Sequence, residues 1–171
     1  MDGLLLNMSI NVSPRQLTSS EFVEDLRQAL RAADLPADRI TIEVTEGALM
    51  KERSVEQLQL VRAIGCRIAI DDFGTGYSSL SYLRHLPIDY LKIDRSFVRP
   101  LGHDPKADRF FVTLVSLAHT LDLAVVAEGI ETEEQRVIVR DARCDTAQGY
   151  LFSRPVSTED ARRMVAGAAS G

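Results

Sequence analysis

The chain has 171 residues, 45% hydrophobic and 26% charged, which is enough apolar material for one soluble globular domain with a core. A formal charge of -5 and the lack of a basic, aromatic-interleaved stripe argue against a nucleic-acid polymer as the partner but not against a small nucleotide carried with metal ions. Cys66 and Cys144 lie far apart without a Cys-x-x-Cys partner and read as reduced packing residues of a cytoplasmic protein; no segment, Met1 to Ile10 included, is apolar and long enough to span a bilayer.

Leu4 to Val12 reads as a strand broken by Ser13-Pro14. Ser19 or Ser20 then caps a helix over about Glu21 to Ala33, with Phe22, Val23, Leu26, Ala29 and Leu30 on one face. A second strand runs from Arg39 to Val44 and finishes at Thr45-Glu46. Val55, Leu58, Val61 and Ile64 recur at helical spacing over Ser54 to Ile64, and Gly65 closes that helix. Cys66 to Ile70 is a third, buried strand ending in Asp71-Asp72. A short helix over Ser79 to Leu86 leads to a fourth strand, Ile88 to Asp94. The helix from about Ala107 to Leu121 presents Phe110, Phe111, Leu114, Leu117 and Ala118 inward. A fifth strand, Ala124 to Ala127, a helix over Glu133 to Asp141, a weak sixth strand near Thr146 to Leu151 and a last helix over Thr158 to Ala166 complete the chain.

Strand and helix alternate regularly, which predicts a parallel sheet with right-handed crossovers and ligand groups at the carboxyl ends of its strands. Those ends carry Asn11, Glu43 with Glu46, Asp71 with Asp72, Lys92 with Asp94, Glu128 with Glu131, and Gln148. Each has an ordinary structural reading: a loop hydrogen-bonder, a helix-start acid, or Lys92 as a charge partner for Asp94. Their recurrence on one edge points to a site. Adjacent carboxylates at Asp71 and Asp72 are costly unless a cation or several donors satisfy them. The following Gly74-Thr75-Gly76 lets the backbone turn sharply. The set holds no histidine, and hard oxygen donors select Mg²⁺, Mn²⁺ or Ca²⁺ over Zn²⁺. The paired acids suit a bridged pair of metals and in-line phosphoryl chemistry, with Lys92 to orient or deprotonate an attacking water. Asp71-Asp72-Phe73-Gly74 also contains the kinase Asp-Phe-Gly, but no His-Arg-Asp loop or Val-Ala-Ile-Lys strand accompanies it.

Asn11-Val12-Ser13, Glu43-Val44-Thr45-Glu46, Asp71-Asp72-Phe73-Gly74-Thr75-Gly76, Leu91-Lys92-Ile93-Asp94, Ala127-Glu128-Gly129-Ile130-Glu131 and Gln148-Gly149-Tyr150 resemble, in order and spacing, the motifs of EAL domains. These are bacterial cyclic di-GMP phosphodiesterases built as a modified (β/α)8 barrel, and the resemblance runs from Leu4 to about Val165. It implies two divalent cations, Mg²⁺ or Mn²⁺, one held by Asn11, Glu43 and Asp71 and the other by Asp71, Asp72 and Glu128. Lys92 would hold the water that opens the cyclic dinucleotide, so Lys92 and Glu128 are the catalytic pair. Glu46 would brace the loop from Phe73 to Ser79, which contributes to dimer contacts, and Asp94 and Gln148 would line the metal and nucleotide site.

The chain departs from the family pattern at its start. The family's two preceding strands and its Glu-Ala-Leu signature do not occur before Leu4, so residues 1–171 read as one EAL unit, the carboxyl-terminal portion of the barrel, with about six of eight strands and one metal carboxylate fewer. Open sheet edges then predict a homodimer. The alternative is a non-catalytic module that binds cyclic di-GMP or a protein.

Overall fold

Short β-branched runs become strands and amphipathic stretches become helices, as their hydrophobic periods dictate. The computed structural model describes residues 6–50, 52–74 and 83–168. Six strands, β1 (Met8–Asn11), β2 (Ile40–Thr45), β3 (Arg67–Phe73), β4 (Tyr90–Ile93), β5 (Ala124–Ala127) and β6 (Thr146–Ala147), lie side by side in chain order. Every neighbouring pair is parallel. The helices are α1 (Pro14–Leu17), α2 (Phe22–Ala33), α3 (Glu52–Ile64), α4 (Arg95–Val98), α5 (Pro105–Thr120), α6 (Glu133–Asp141) and α7 (Thr158–Ala168). The architecture is α/β, a half-barrel of six staves in the manner of a (β/α)8 barrel, and among the described residues β1 and β6 do not pair with each other.

The strand period of two separates the faces of this arc. Ile42, Val44, Ile68, Ile70, Leu91, Ile93 and Val125 are buried and join Leu58, Val61, Phe111, Val115 and Val139 of the helices in one continuous core. Ser9, Thr41, Glu43, Ala69, Lys92 and Gln148, from the alternate positions, line a cavity of about 160 Å³ on the concave side. Among the described residues no helix is long and apolar enough to cross a membrane. Cys66 and Cys144 are free thiols. Burial pushes the Cys144 thiol up to about 11, and its Sγ donates to the Val125 and Thr146 carbonyls at 3.4 and 3.3 Å.

Several expectations need correction. Among the described residues the first strand runs over Met8–Asn11, all exposed, where β1 has a ladder partner on one side only; Leu4 and Leu5 lie outside the described residues. The segment after it is helical: Ser13 and Gln16 form a capping box with Pro14 inside the first turn, so Ser13-Pro14 starts α1 as well as ending β1. Glu21 rather than Ser19 or Ser20 occupies the cap of α2, with no side-chain bond. Residue 110 of α5 does not point inward; Phe110 is 54% exposed and stacks on Phe97 at 5.6 Å, while Val115 takes a core position. The sixth strand stops at Ala147. Half of the helix expected over Ser79 to Leu86 lies outside the described residues, and of the rest only Leu83 is helical.

The amino ends of the strands are pinned by one device used twice. Asp89, just before β4, accepts the Ile68 N–H of β3 at 2.9 Å and meets Arg62 of α3 at 3.4 Å. Asp145, just before β6, accepts the Val125 N–H of β5 at 2.8 Å and meets His119 of α5 at 2.9 Å. Each aspartate thus ties a helix and two strands together and satisfies a backbone donor that would otherwise be orphaned. Partial burial pushes the Asp145 carboxyl up, but the Val125 N–H and His119 outweigh it and hold it below the usual range. Asp145→Ala is expected to cost about 1–3 kcal/mol near neutral pH, read from denaturant melts. Because the native value is depressed, that contribution is present above the unfolded value of roughly 4 and is lost as pH falls through the lower native one. The stability gap between the two proteins should therefore close in strong acid.

Candidate active site

The parallel register sets the site. Asn11 lies beside Glu43, and Thr45 beside Asp71, so the carboxyl ends of β1, β2 and β3 open on the same edge of the sheet, each reaching two residues beyond the one before. Between β3 and β4 the register slips: Ile70 faces Leu91 but Phe73 faces Ile93, which puts one extra residue into β3. The strand therefore does not end at the two acids, as its sequence suggests; it bulges through them. Asp72 takes up the distortion with φ +54°, an uncommon value for a non-glycine residue. The bulge turns neighbouring side chains that would alternate to the same side. Oxygens of Asp71, Asp72 and Glu128 consequently lie within 4.8 Å of one another, an all-oxygen donor set that fits a hard divalent cation.

Lys92 rises from β4 into this cluster and is only 5% exposed. Its Nζ donates to Glu43 Oε2 at 2.5 Å, Glu128 Oε1 at 2.7 Å and Asp71 Oδ1 at 2.9 Å. Burial alone would depress the ammonium, but hydrogen bonds to Glu128, Glu43 and Asp71 overcome it and raise Lys92 above its ordinary value. Burial lifts the Glu128 carboxyl, and the charges of Asp71 and Glu43 add to that, so Lys92 only partly offsets the rise. Asp72 is also raised, by burial and then by Asp71 and Asp94.

The remaining expected residues surround this core. Gln148 donates from Nε2 to Glu128 Oε1 at 2.8 Å. Glu46, buried at the start of the 3-10 turn Glu46–Met50, accepts the Gly74 N–H at 3.4 Å and so reaches the first residue after β3; the rest of the loop it was expected to brace lies outside the described residues. Gly74 itself has φ +95°, and a Cβ there would fall 2.6 Å from the Phe97 ring. Asn11 is exposed at the end of β1, next to Glu43. Asp94 is not a partner of Lys92. It caps α4 by accepting the Ser96 N–H at 2.9 Å; this and neighbouring N–H groups outweigh partial burial and hold its carboxyl low.

A family model described as the EAL domain matches residues 2–155. The chain belongs to the EAL family. The cyclic di-GMP phosphodiesterase NbdA of Pseudomonas aeruginosa is 42% identical over 153 residues, which are 88% of this chain and 20% of NbdA. Among solved structures, the EAL enzyme Bd1971 bound to cAMP and cyclic di-GMP superposes with a TM-score of 0.89 at 41% identity, over 93% of this chain and 43% of that one. The manganese and cyclic di-GMP complex of Klebsiella pneumoniae BlrP1 superposes with a TM-score of 0.81 at 35% identity, over 87% of this chain and 39% of that one. The chain spans about a fifth of the length of NbdA.

In this EAL unit one supporting residue escaped the strand-end reasoning. Gln135 of α6 is buried, and its Oε1 accepts the N–H groups of Glu131 at 2.8 Å and Thr132 at 3.2 Å, fixing the loop that follows Glu128. Its signal was present as the Thr-x-x-Gln pattern of a capping box, Thr132 to Gln135. The carboxyl end of β6 is held by contact: a Cβ on Gly149 would fall 2.2 Å from the Ile130 N and O. Gly149→Ala should therefore push the β6 end away from β5 and break the Gln148 to Glu128 bond, costing about 1–3 kcal/mol in denaturant melts.

Proposed function

We propose that this chain contributes the metal and water-holding side of a cyclic di-GMP phosphodiesterase, in which residues 1–171 are one EAL unit, the carboxyl-terminal portion of the barrel. The observation that carries the reading is the convergence of Asp71, Asp72 and Glu128 within 4.8 Å beside a buried Lys92, at the end of the arc where such folds place their chemistry. The names of NbdA and Bd1971 supply the substrate class, and the BlrP1 complex supplies manganese as a metal such a site takes. Asn11, Glu43 and Asp71 are assigned to one Mg²⁺ or Mn²⁺ ion, and Asp71, Asp72 and Glu128 to a second. Such ions supply positive charge for the phosphodiester oxygens.

The chain's own groups then have separate tasks. Lys92, which rises from β4 among these carboxylates, is assigned to orient the attacking water through an N–H. Gln148 fixes the rotamer of Glu128, and Glu46 anchors the backbone just past the bulge. Asp94 and Gln148 are assigned to the nucleotide side, and Gln148 lines a cavity of about 460 Å³ with Arg95, Gly129, Glu131, Tyr150 and Arg154. The side of β1 that has no ladder partner among the described residues and the exposed Leu6, Met8 and Ile10 support a homodimer, and free thiols fit a cytoplasmic protein.

A second reading, a module that binds cyclic di-GMP or a protein without turning anything over, is favoured by the arc of the described residues, in which β1 and β6 do not pair with each other. Incubation of the purified chain with Mn²⁺ and cyclic di-GMP separates the two. Linear dinucleotide should form with wild type, fall to background with Asp71→Ala and be affected less by Glu131→Ala. No product from wild type alongside measurable dinucleotide binding would leave the binding module alone, and turnover undiminished by Asp71→Ala would overturn the metal assignment.

A further inference from the structure

Two of the carboxylates that converge as a cation site, Asp71 and Glu128, are also two of the three that hold the Lys92 ammonium. The third is Glu43. All three N–H donors of the ammonium are thereby engaged, at 2.5–2.9 Å, in a pocket where Lys92 is 5% exposed. A divalent ion shared by Asp71, Asp72 and Glu128 would sit a few ångströms from that ammonium, with little water between them to screen the like charges. The two cations would then compete for one set of oxygens.

We infer that Lys92 is the resident counter-ion of the metal-free site, and that a divalent cation loads by displacing its ammonium from Asp71 and Glu128. This rests on the metal assignment proposed above. Without metal, Lys92 keeps Glu43, Asp71 and Glu128 gathered against their mutual repulsion, and its N–H groups are spent on them. Loading the ion frees those N–H groups, so the residue assigned to the attacking water becomes available only when the metal is in place. Lys92 acts here as a positioning residue, through the carboxylates.

The test uses metal alone, without nucleotide. In chelator-treated wild type carrying ¹⁵N-lysine, the Lys92 ammonium should give an exchange-protected NMR signal that is lost on saturation with diamagnetic Mg²⁺. By calorimetry, Lys92→Met should bind Mn²⁺ at least fivefold more tightly than wild type, and its melting temperature should be lower than wild type in chelator and recover more on adding Mn²⁺. A protected Lys92 signal unchanged at saturating Mg²⁺, or Mn²⁺ binding no tighter in Lys92→Met, would overturn displacement while leaving the metal assignment standing. Absence of Mn²⁺ binding in both proteins would overturn both. If Lys92→Met does not fold, the wild-type NMR titration decides.

Discussion

A parallel ladder sets the carboxyl end of one strand beside the carboxyl end of the next, and five such ladders in succession bring Asn11, Glu43, Asp71, Lys92, Glu128 and Gln148 to one rim of the arc. The residues are up to 137 positions apart in the chain. Their proximity is a property of the topology, since right-handed crossovers return every strand in the same direction. The period of two then decides which residues reach the rim on the concave side, and the apolar residues between them bind the arc to its helices.

Within that frame the acidity of the rim is tolerated because of two local departures from regularity. The bulge in β3 brings consecutive aspartates together, and it is stabilised where it can be: Asp71 Oδ1 accepts the Asp72 N–H at 3.1 Å, Glu46 receives Gly74, and the Phe97 ring fills the space a side chain at Gly74 would need. Lys92 supplies the opposing charge from the neighbouring strand. A buried ammonium is costly by itself, and so are three converging carboxylates. Each is tolerable here because of the other.

Much of this was legible in the sequence. The alternation of apolar runs gave the number and direction of the strands, and β5 and α6 keep the bounds that the sequence suggests. The residues of the rim could be read because each strand ends in a polar group. What the sequence concealed was local. Nothing in Cys66 to Phe73 announces a bulge, since the extra residue depends on the register that β4 adopts. Asp94 looked like a partner for Lys92 two positions earlier, but the chain turns into α4 there and takes the carboxylate as a cap. Phe110 fits the apolar stripe of α5 by spacing, yet its partner is Phe97 at the surface.

The aspartate clamps lie at the amino ends of the strands, the opposite end of the ladders from the converging carboxylates. The arc thus carries two separate sets of charges, one at each end of its ladders. Removing acids from the rim would strand the buried Lys92 ammonium, whereas the lashings at the opposite lip, Asp89 to Ile68 and Asp145 to Val125, draw on none of the rim's groups.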